Sequence, residues 1–386
     1  MTFWREHLAL TARALFALVA VIALGVADVE HVSASWGFVG AGEPAPVPES
    51  WLRETTQTAR RQLRGAGTED NSRRLAIVYL VTDLQRVDRD RPSLLRASIT
   101  LNKQNLFPTT PCSVYIFTWK QQIQLLTEGL ADVGRWSNVA VLPLANESWV
   151  APAMAGSSDM WHEHHTMDYR LMGDWRLGFM PEFVRKMGHR YLLQFDDDSF
   201  ILKPVGLNLV QLFDNKGYLL AAKKIRPDPL IVTWGLPELV RYYLTTHKVV
   251  PTQLFEFCEP NNIHGVYSTL DAESLGAIPA ADLTALQELG LKQRGGWNRT
   301  ILHGNCVMYS LDWWFSPKVH RFVQLCRATG GSFTYRWNEQ GVIAMLWQIF
   351  LKPEQFYPFE FDYKHRLTKA QDAYDMAAAP SVVEEH

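Results

Sequence analysis

The sequence predicts an α/β fold in which a mixed, doubly wound sheet is flanked by helices. Leu75–Val81 is a continuous apolar run of the kind that buried parallel strands show. Strand-like and helix-like segments alternate after it, which is typical of a doubly wound sheet. The apolar run Tyr191–Phe195 ends in three consecutive aspartates, and such sheets bind ligands outside the carboxyl ends of their strands.

The elements follow from the pattern of apolar residues along the chain. Strands are predicted from short continuous apolar runs, and helices from longer segments with a helical pattern. Gly330-Gly331 marks the end of one helix, because glycine commonly follows a helix C-terminus. The predicted strands are 75–81, 112–118, 139–144, 191–195 and 307–311, and the predicted helices are 51–63, 92–101, 169–187, 236–246, 280–289, 317–329 and 341–350.

The triplet Asp196, Asp197 and Asp198 is the most informative feature of the chain. Like charges side by side at the end of a buried strand repel, so a partner must neutralise them. A hard divalent cation, Mg²⁺ or Mn²⁺ beside a diphosphate, would do so through carboxylate oxygens. At this place in an α/β chain, such a sequence suggests an enzyme that handles nucleotide-sugars. The alternative is a solvated turn or a helix N-terminus.

Composition and charge argue against a nucleic-acid partner. The 386 residues include 38 basic and 40 acidic ones, which leaves a net charge of −2 and no basic footprint. At 47% hydrophobic, the chain can bury a large core. The four cysteines show no C-x-x-C spacing, which disfavours zinc and leaves one or two disulfides open.

The N-terminal segment predicts entry into the secretory pathway. An apolar stretch at 8–27 follows Arg5, and positive charge on its short N-terminal side favours a signal anchor with a lumenal C-terminus. The alternative is a signal peptide cleaved at the small residues that end the stretch. The predicted organisation is a signal anchor or signal peptide at 1–27, a Gly/Pro-rich stem at 28–72, one catalytic domain at 73–370 and a flexible tail at 371–386.

Three blocks of motifs occur in a fixed order within residues 73–370. The blocks are Tyr169-Arg-Leu-Met with Gly178-Phe179 and the aspartate triplet, then Gly304-Asn305 with Trp314-x-Ser316 and Gly330-Gly331-x-Phe-x-x-Arg336-Trp337, then Phe356 to His365. In order and spacing they resemble the fungal Golgi α-1,2-mannosyltransferases, glycosyltransferase family 15. The resemblance implies a GT-A fold, a GDP-mannose donor, Mn²⁺ and transfer with retention of anomeric configuration.

The resemblance also implies a set of metal ligands. Carried over by position, Asp196 takes the place of the family's metal-binding glutamate, and Asp198 follows two residues on. His365 matches the second protein ligand of the family, and an imidazole favours Mn²⁺ over Mg²⁺. The alternative for His365 is a surface histidine between two basic neighbours.

Further residues are expected at the donor. Tyr169 matches the tyrosine that contacts the donor in the family, and we expect Arg170 and Asp197 to bind the donor as well. For Tyr169 the alternative is a residue that packs a helix. For Arg170 the alternative is an internal ion pair.

The chain departs from the family at Val307. This valine stands where the family has the glutamate proposed as catalytic nucleophile, and a valine can neither attack nor hold a developing cation. Either the acceptor hydroxyl attacks from the face that the diphosphate leaves, or another acid serves. Glu339 is the candidate, as an acid that accepts a hydroxyl proton or stabilises oxocarbenium charge. Its alternative is a carboxylate that complements a helix dipole.

The leading hypothesis is a hexosyltransferase of the Golgi membrane, single-pass and type II, with a lumenal catalytic domain. It would transfer mannose from GDP-mannose, α-1,2 and with retention, to a hydroxyl of a glycan or glycoprotein. One alternative is a retaining transferase that uses a UDP-sugar. Another is an inactive carbohydrate-binding or scaffold protein. The alternative locations are the endoplasmic reticulum and, after signal cleavage, the extracellular space.

Overall fold

The structure, a computed structural model, is built around a central sheet with helices on both of its faces. It describes residues 46–63, 75–84, 89–131, 133, 138–150, 166–229, 232–233, 235–258 and 297–379. The strands are β1 (Leu75–Val81), β2 (Ser113–Trp119), β3 (Val139–Leu144), β4 (Tyr191–Phe195), β5 (Ser199–Ile201), β6 (Leu220–Ala222), β7 (Ile225–Pro227), β8 (Thr300–Leu302), β9 (Cys306–Ser310), β10 (Phe356–Pro358) and β11 (Tyr363–His365). The α-helices of this part of the chain are α1 (Glu49–Gln62), α2 (Arg91–Asn105), α3 (Ile123–Gly129), α4 (Met167–Leu177), α5 (Phe179–Met187), α6 (Leu209–Lys216), α7 (Leu236–Thr246), α8 (Leu311–Trp314), α9 (Pro317–Ala328), α10 (Gly331–Thr334), α11 (Glu339–Phe350) and α12 (Ala370–Ala378).

Seven of the strands form one mixed sheet in the order β10-β6-β9-β4-β1-β2-β3. Strand β1 pairs in parallel with β2 and β4, whereas β9 runs antiparallel between β4 and β6. All seven residues of β1 are buried, as its continuous apolar sequence predicts. The predicted α/β class with a mixed, helix-flanked sheet is confirmed.

Two cores lie on the two faces of this sheet. Val78 and Leu80 of β1 join the core on one face, and Ile77 and Tyr79 join the core on the other, as the two-residue period of a strand requires. Helices α1, α4, α5, α7, α9 and α11 cover the first face, and α2, α3 and α6 cover the second. In the described part of the chain, both faces of the sheet are therefore buried, which leaves the ends of its strands for a ligand.

Helix α1 packs against the domain predicted at 73–370, although it lies within the predicted stem 28–72. Trp51 is buried, with its ring 5.6 Å from that of Phe179 and 6.5 Å from that of Phe117. The Gln62 side chain accepts a hydrogen bond from Val141 N at 2.8 Å and donates one to Val141 O at 2.9 Å. These bonds pair with backbone groups on the outer edge of β3. Unpaired backbone groups along a sheet edge can otherwise pair with another chain. The domain boundary predicted at residue 73 therefore lies after a helix that packs on the domain.

Two further segments differ from the predicted elements. The helix predicted at 169–187 is divided into α4 and α5 at Gly178, where a Cβ atom would lie 2.4 Å from the Arg327 guanidinium. Helix α12 extends into the segment predicted to be a flexible tail, because Ala373 is fully buried in a small core with Leu94 and Phe200. The anchor at 1–27 and the helix at 280–289 lie outside the described residues.

Two more findings bear on the sequence predictions. Within the described part of the chain, no helix has the length and apolar character that crossing a bilayer requires. All four cysteines are free thiols, and Cys112, Cys306 and Cys326 are buried.

Candidate metal and donor site

The aspartate triplet follows the carboxyl end of β4, the central strand of the sheet. A short turn follows, and the chain continues as β5, which pairs antiparallel with β11. In this pairing His365 lies opposite Ser199, the residue that follows the triplet. This pairing holds two segments more than 160 residues apart in sequence side by side. The His365 imidazole therefore lies next to the carboxylates of the triplet.

Three predicted ligands converge at this point. His365 Nε2 lies 3.1 Å from Asp198 Oδ1 and 3.5 Å from Asp196 Oδ2. One ligand atom from each of the three residues lies within 4.8 Å of the other two. Two carboxylate oxygens and an imidazole nitrogen form a donor set that suits Mn²⁺ better than Mg²⁺, which prefers oxygen alone. The residues present therefore fit the cation that the sequence predicts.

Each carboxylate of this cluster also has one oxygen held by an arginine. Arg176 Nη2 donates to Asp196 Oδ1 at 2.6 Å, and Arg89 Nη1 donates to Asp198 Oδ2 at 2.6 Å. The second oxygen of each aspartate is the one directed at His365. The arginines thus fix both carboxylates so that a single oxygen from each meets the imidazole.

The charges around the cluster keep Asp196 ionised. Burial raises the pKa of Asp196, but the Arg176 guanidinium and His365 outweigh it and hold that pKa well below its usual range. Burial lowers the pKa of His365, whereas hydrogen bonds to Asp196 and Asp198 raise it, and the net pKa lies above the usual value. A cation at Nε2 would replace the proton that these carboxylates attract.

Glu339 lies in the interior beside this cluster. It is the first residue of α11, which is capped by the Asn338 side chain, and it has no exposed surface. Its Oε1 accepts hydrogen bonds from Arg176 Nη1 at 2.8 Å and from Gln194 Nε2 at 3.0 Å. Its Oε2 is buried and has no hydrogen-bond partner among the described residues. Arg176 therefore links the acid predicted to be catalytic with the cluster of predicted metal ligands.

The close approach of Glu339 requires a glycine at position 304. A Cβ atom there would lie 2.4 Å from Glu339 Oε1 and 2.8 Å from Gln194 Nε2, far inside normal contact distance. The Gly304 carbonyl also accepts a hydrogen bond from Gln194 Nε2 at 2.5 Å. The turn between β8 and β9 thus packs directly on the carboxylate.

Comparison with solved structures places this geometry in a known fold. Core-mannan synthase A from Aspergillus fumigatus, in its Mn/GDP form, matches 78% of this chain and 76% of its own, with a TM-score of 0.59 and 12% sequence identity. The mannosyltransferase Ktr4p from S. cerevisiae matches 84% of this chain and 82% of its own, with a TM-score of 0.58 and 11% identity. Its complex with GDP gives a TM-score of 0.58 over 85% of this chain and 83% of its own, at 12% identity.

The chain has the GT-A fold of these mannosyltransferases. The resemblance predicted from three blocks of motifs is thereby confirmed as a likeness in structure at low sequence identity. No protein-family model and no curated protein matches the sequence.

The residues predicted to bind the donor occupy different places around this GT-A site. The Tyr169 hydroxyl accepts a hydrogen bond from Arg336 Nη2 at 3.4 Å, and the Arg336 guanidinium lies 5.1 Å from the centre of its ring. Arg170 is 1% exposed and donates to the Phe333 carbonyl at 2.5 Å, so it lies in the protein interior. Burial, together with Arg336, lowers the pKa of Arg170 to about 10.

Asp197 differs from its two neighbours in the triplet. Both of its oxygens accept hydrogen bonds from Arg91 Nη1, at 2.8 and 2.9 Å, at the first residue of α2. It is buried and does not belong to the cluster formed by the other two aspartates and His365. Asp197 thus bonds to the first residue of α2, and its contact with the donor stays a prediction.

Val307 lies on the face of the sheet that Glu339 approaches. In the antiparallel pair of β4 and β9, Val307 is directly opposite Gln194, so the two side chains project to the same face. Gln194 donates to Glu339 on that face. Gln194 therefore contacts Glu339, the predicted replacement for the family's glutamate. It also lies directly opposite Val307, which occupies the position of that glutamate.

Four residues of this site were not predicted from the sequence. Arg176, Arg89, Gln194 and Asn305 contact predicted site residues that lie 20 to 163 positions away in the chain. One local signal was available for Arg176, since a charged residue between Trp175 and Leu177 is unusual on a helix with apolar neighbours.

Proposed function

We propose that the protein is a metal-dependent glycosyltransferase that transfers mannose from GDP-mannose, with retention, to a hydroxyl of a glycan. The observation that carries the proposal is the convergence of Asp196 Oδ2, Asp198 Oδ1 and His365 Nε2 at the end of a sheet strand. The fold supports it, because the structures it resembles are described as mannosyltransferases, one of them in an Mn/GDP form. We further propose an α-1,2 linkage, in keeping with the sequence resemblance.

The proposed metal ligands are Asp196, Asp198 and His365. A Mn²⁺ ion held there would act as a Lewis acid that stabilises the departing nucleoside diphosphate. Arg176 and Arg89 hold the outer oxygens of the two carboxylates, so that the ligands need little rearrangement to bind it. Arg89, whose side chain is 21% exposed, also places a positive charge beside Asp198.

Glu339 is the proposed catalytic residue. Its Oε2 is buried without a hydrogen-bond partner in the described part of the chain, and it would accept a proton from a substrate hydroxyl once neighbouring side chains move to admit the substrate. Arg176 and Gln194 fix its other oxygen, which orients the carboxylate for accepting a proton or stabilising positive charge on the sugar. Since Val307 has no nucleophilic atom, retention would depend on Glu339 or on attack from the face that the diphosphate leaves.

A donor screen tests this function. The purified full chain with Mn²⁺ is offered GDP-mannose and UDP-sugars, and turnover of GDP-mannose alone is expected. Preference for a UDP-sugar would replace the donor but keep the transferase. Absence of turnover with every donor, together with nucleotide binding, would favour an inactive carbohydrate-binding protein, for which Val307 is the supporting observation.

A matched pair of variants tests the residues. Asp198→Asn should abolish Mn²⁺-dependent GDP binding, because it replaces a ligand oxygen of the cluster. Asp312→Asn makes the same chemical change at a side chain that is 77% exposed, and it should leave binding unchanged. Equal GDP affinity in both variants would contradict the metal assignment.

The cellular location is proposed from the sequence. We propose that 1–27 anchors the protein in the Golgi membrane as a single-pass type II protein with a lumenal catalytic domain. Expression of the full chain with a C-terminal tag tests it: the tag should resist protease in sealed microsomes and remain with the membranes after carbonate extraction. Release of the tagged chain by carbonate would favour a cleaved signal peptide.

A further inference from the structure

We propose that Asn305 is the positioning residue of His365, and that its side-chain amide sets which imidazole nitrogen faces the cation. The inference rests on the cation site of the proposed function. Asn305 is 3% exposed and lies in the turn between β8 and β9. Its Nδ2 lies 2.9 Å from His365 Nδ1, the ring nitrogen that faces away from the carboxylates.

Asn305 also contacts the other ligand strand. Its main-chain oxygen accepts a hydrogen bond from Asp196 N at 3.2 Å, while its side chain reaches His365. One buried residue thus connects two of the three proposed ligands. A ligand fixed in this way keeps its position when a cation binds.

Ligand chemistry dictates what Asn305 must present to the imidazole. Nε2 can bind a cation only through its lone pair, so the neutral ring then carries its proton on Nδ1. A protonated Nδ1 is a donor and requires an acceptor, which in metal sites is commonly a carboxylate or carbonyl oxygen. Asn305 meets this requirement when its Oδ1, rather than its Nδ2, faces the ring. A half-turn of the side-chain amide produces this orientation, because the oxygen and NH₂ ends of the amide have nearly the same shape.

The surroundings accept both orientations of the amide. In the orientation described, the Tyr363 hydroxyl donates to Asn305 Oδ1 at 2.9 Å. After the half-turn, Nδ2 would donate to the same hydroxyl, which can then donate to Ser199 Oγ at 2.8 Å. Ser199 Oγ in turn donates to the Asn305 main-chain oxygen at 3.2 Å. The half-turn therefore leaves the contacts of Asn305 with Tyr363 and His365 in place, with donor and acceptor exchanged.

This network distinguishes asparagine and aspartate from alanine at position 305. An aspartate offers two acceptor oxygens, one for the Tyr363 hydroxyl and one for His365 Nδ1–H, with no half-turn required. An alanine offers neither and leaves the imidazole free to rotate. If Asn305 positions His365, aspartate should therefore replace it and alanine should not.

The experiment measures Mn²⁺ affinity in the presence of GDP, by calorimetry on the full chain and its variants. We expect Asn305→Ala to bind Mn²⁺ about 10- to 100-fold more weakly than the wild type, the usual loss for an outer-shell partner. Asn305→Asp should bind at least as tightly as the wild type. Asn102→Ala is the matched control, since Asn102 is also buried and bonded to a tyrosine, Tyr79, and its loss should leave Mn²⁺ affinity unchanged.

The outcomes separate this inference from the function on which it rests. A wild-type protein that does not bind Mn²⁺ overturns the cation site and the inference with it. Wild-type binding with unchanged affinity in Asn305→Ala overturns the inference alone. So does an Asn305→Asp variant that folds but binds Mn²⁺ about tenfold or more weakly than the wild type, because a merely structural asparagine would tolerate neither change. If Asn305→Ala does not fold, the aspartate variant still decides the question.

Discussion

Arg176 is expected to be the residue on which the integrity of the site depends most. Its side chain is 5% exposed and donates to Asp196 at 2.6 Å and to Glu339 at 2.8 Å. The substitution Arg176→Met keeps much of the aliphatic length but removes the charge and every donor. The buried Glu339 carboxylate and the partly buried Asp196 carboxylate, which is 25% exposed, would then both lose their shared guanidinium.

The expected loss of stability is large. Removing one partner of a buried ion pair costs about 3–5 kcal/mol, because the charge left behind remains buried and unpaired. Two charge-assisted hydrogen bonds at about 1.5–3 kcal/mol each give about 3–6 kcal/mol, which agrees with that range. We therefore expect Arg176→Met to lower the free energy of unfolding by about 3–5 kcal/mol when no metal is present.

Urea denaturation in EDTA, followed by tryptophan fluorescence, measures this loss. The matched control is Arg190→Met, whose side chain is 48% exposed and lies 3.0 Å from Asp214, and which should cost at most about 1 kcal/mol. Adding Glu339→Gln to Arg176→Met should recover part of the loss, since one uncompensated charge is removed. A loss for Arg176→Met no larger than that of Arg190→Met would refute the reasoning.

Three further predictions address other parts of the protein. Gly304→Ala should reduce turnover at least about tenfold while the enzyme still binds GDP, because its Cβ would displace the Glu339 carboxylate; steady-state kinetics at wild-type values would contradict this packing. The pKa of His303 is lowered from 6.5 to about 4 by burial and nearby basic side chains, so the folded protein disfavours the charged ring and stability should fall as the pH drops from about 6.5 to about 4. His303→Asn should flatten this part of the profile of unfolding free energy against pH, measured by urea titrations. An unchanged slope between about pH 6.5 and pH 4 would show that His303 does not cause this pH dependence. Trp51→Ala should lower the free energy of unfolding by about 3–5 kcal/mol, because it removes a large side chain packed between α1 and the domain; a loss below about 1 kcal/mol would indicate that α1 is dispensable.

The longer elements were predictable because their apolar patterns are strong. Leu75–Val81 and Val139–Leu144 were predicted with the bounds that the structure shows, since every position of the first strand is buried. The short strands Ser199–Ile201 and Tyr363–His365 were not predicted, because three residues carry no period and their pairing is a contact between distant segments. The division of one predicted helix at Gly178 likewise depends on Arg327, which lies 149 positions further along the chain.

The site was predictable only in part for the same reason. The aspartate triplet and His365 were identified as candidate ligands from their pattern and from the family resemblance, and the structure brings Asp196, Asp198 and His365 together. Arg89 and Arg176 were not identified, because the carboxylates that they neutralise lie 20 or more positions away in the chain. The apolar neighbours Trp175 and Leu177 were the local signal available for Arg176. Arg170 matches the family motif, lies in the interior and bonds to a backbone carbonyl, and its predicted contact with the donor stays a prediction.

The central claim is that two aspartates and one histidine at the end of a sheet strand hold a divalent cation. Crystals of the protein grown with Mn²⁺ and GDP, measured with anomalous scattering at the manganese edge, test it most directly. The account predicts one peak within about 2.0–2.6 Å of Asp196 Oδ2, Asp198 Oδ1 and His365 Nε2, in contact with the diphosphate. A GDP-bound crystal with no peak there, or with manganese bound by other residues, would contradict it.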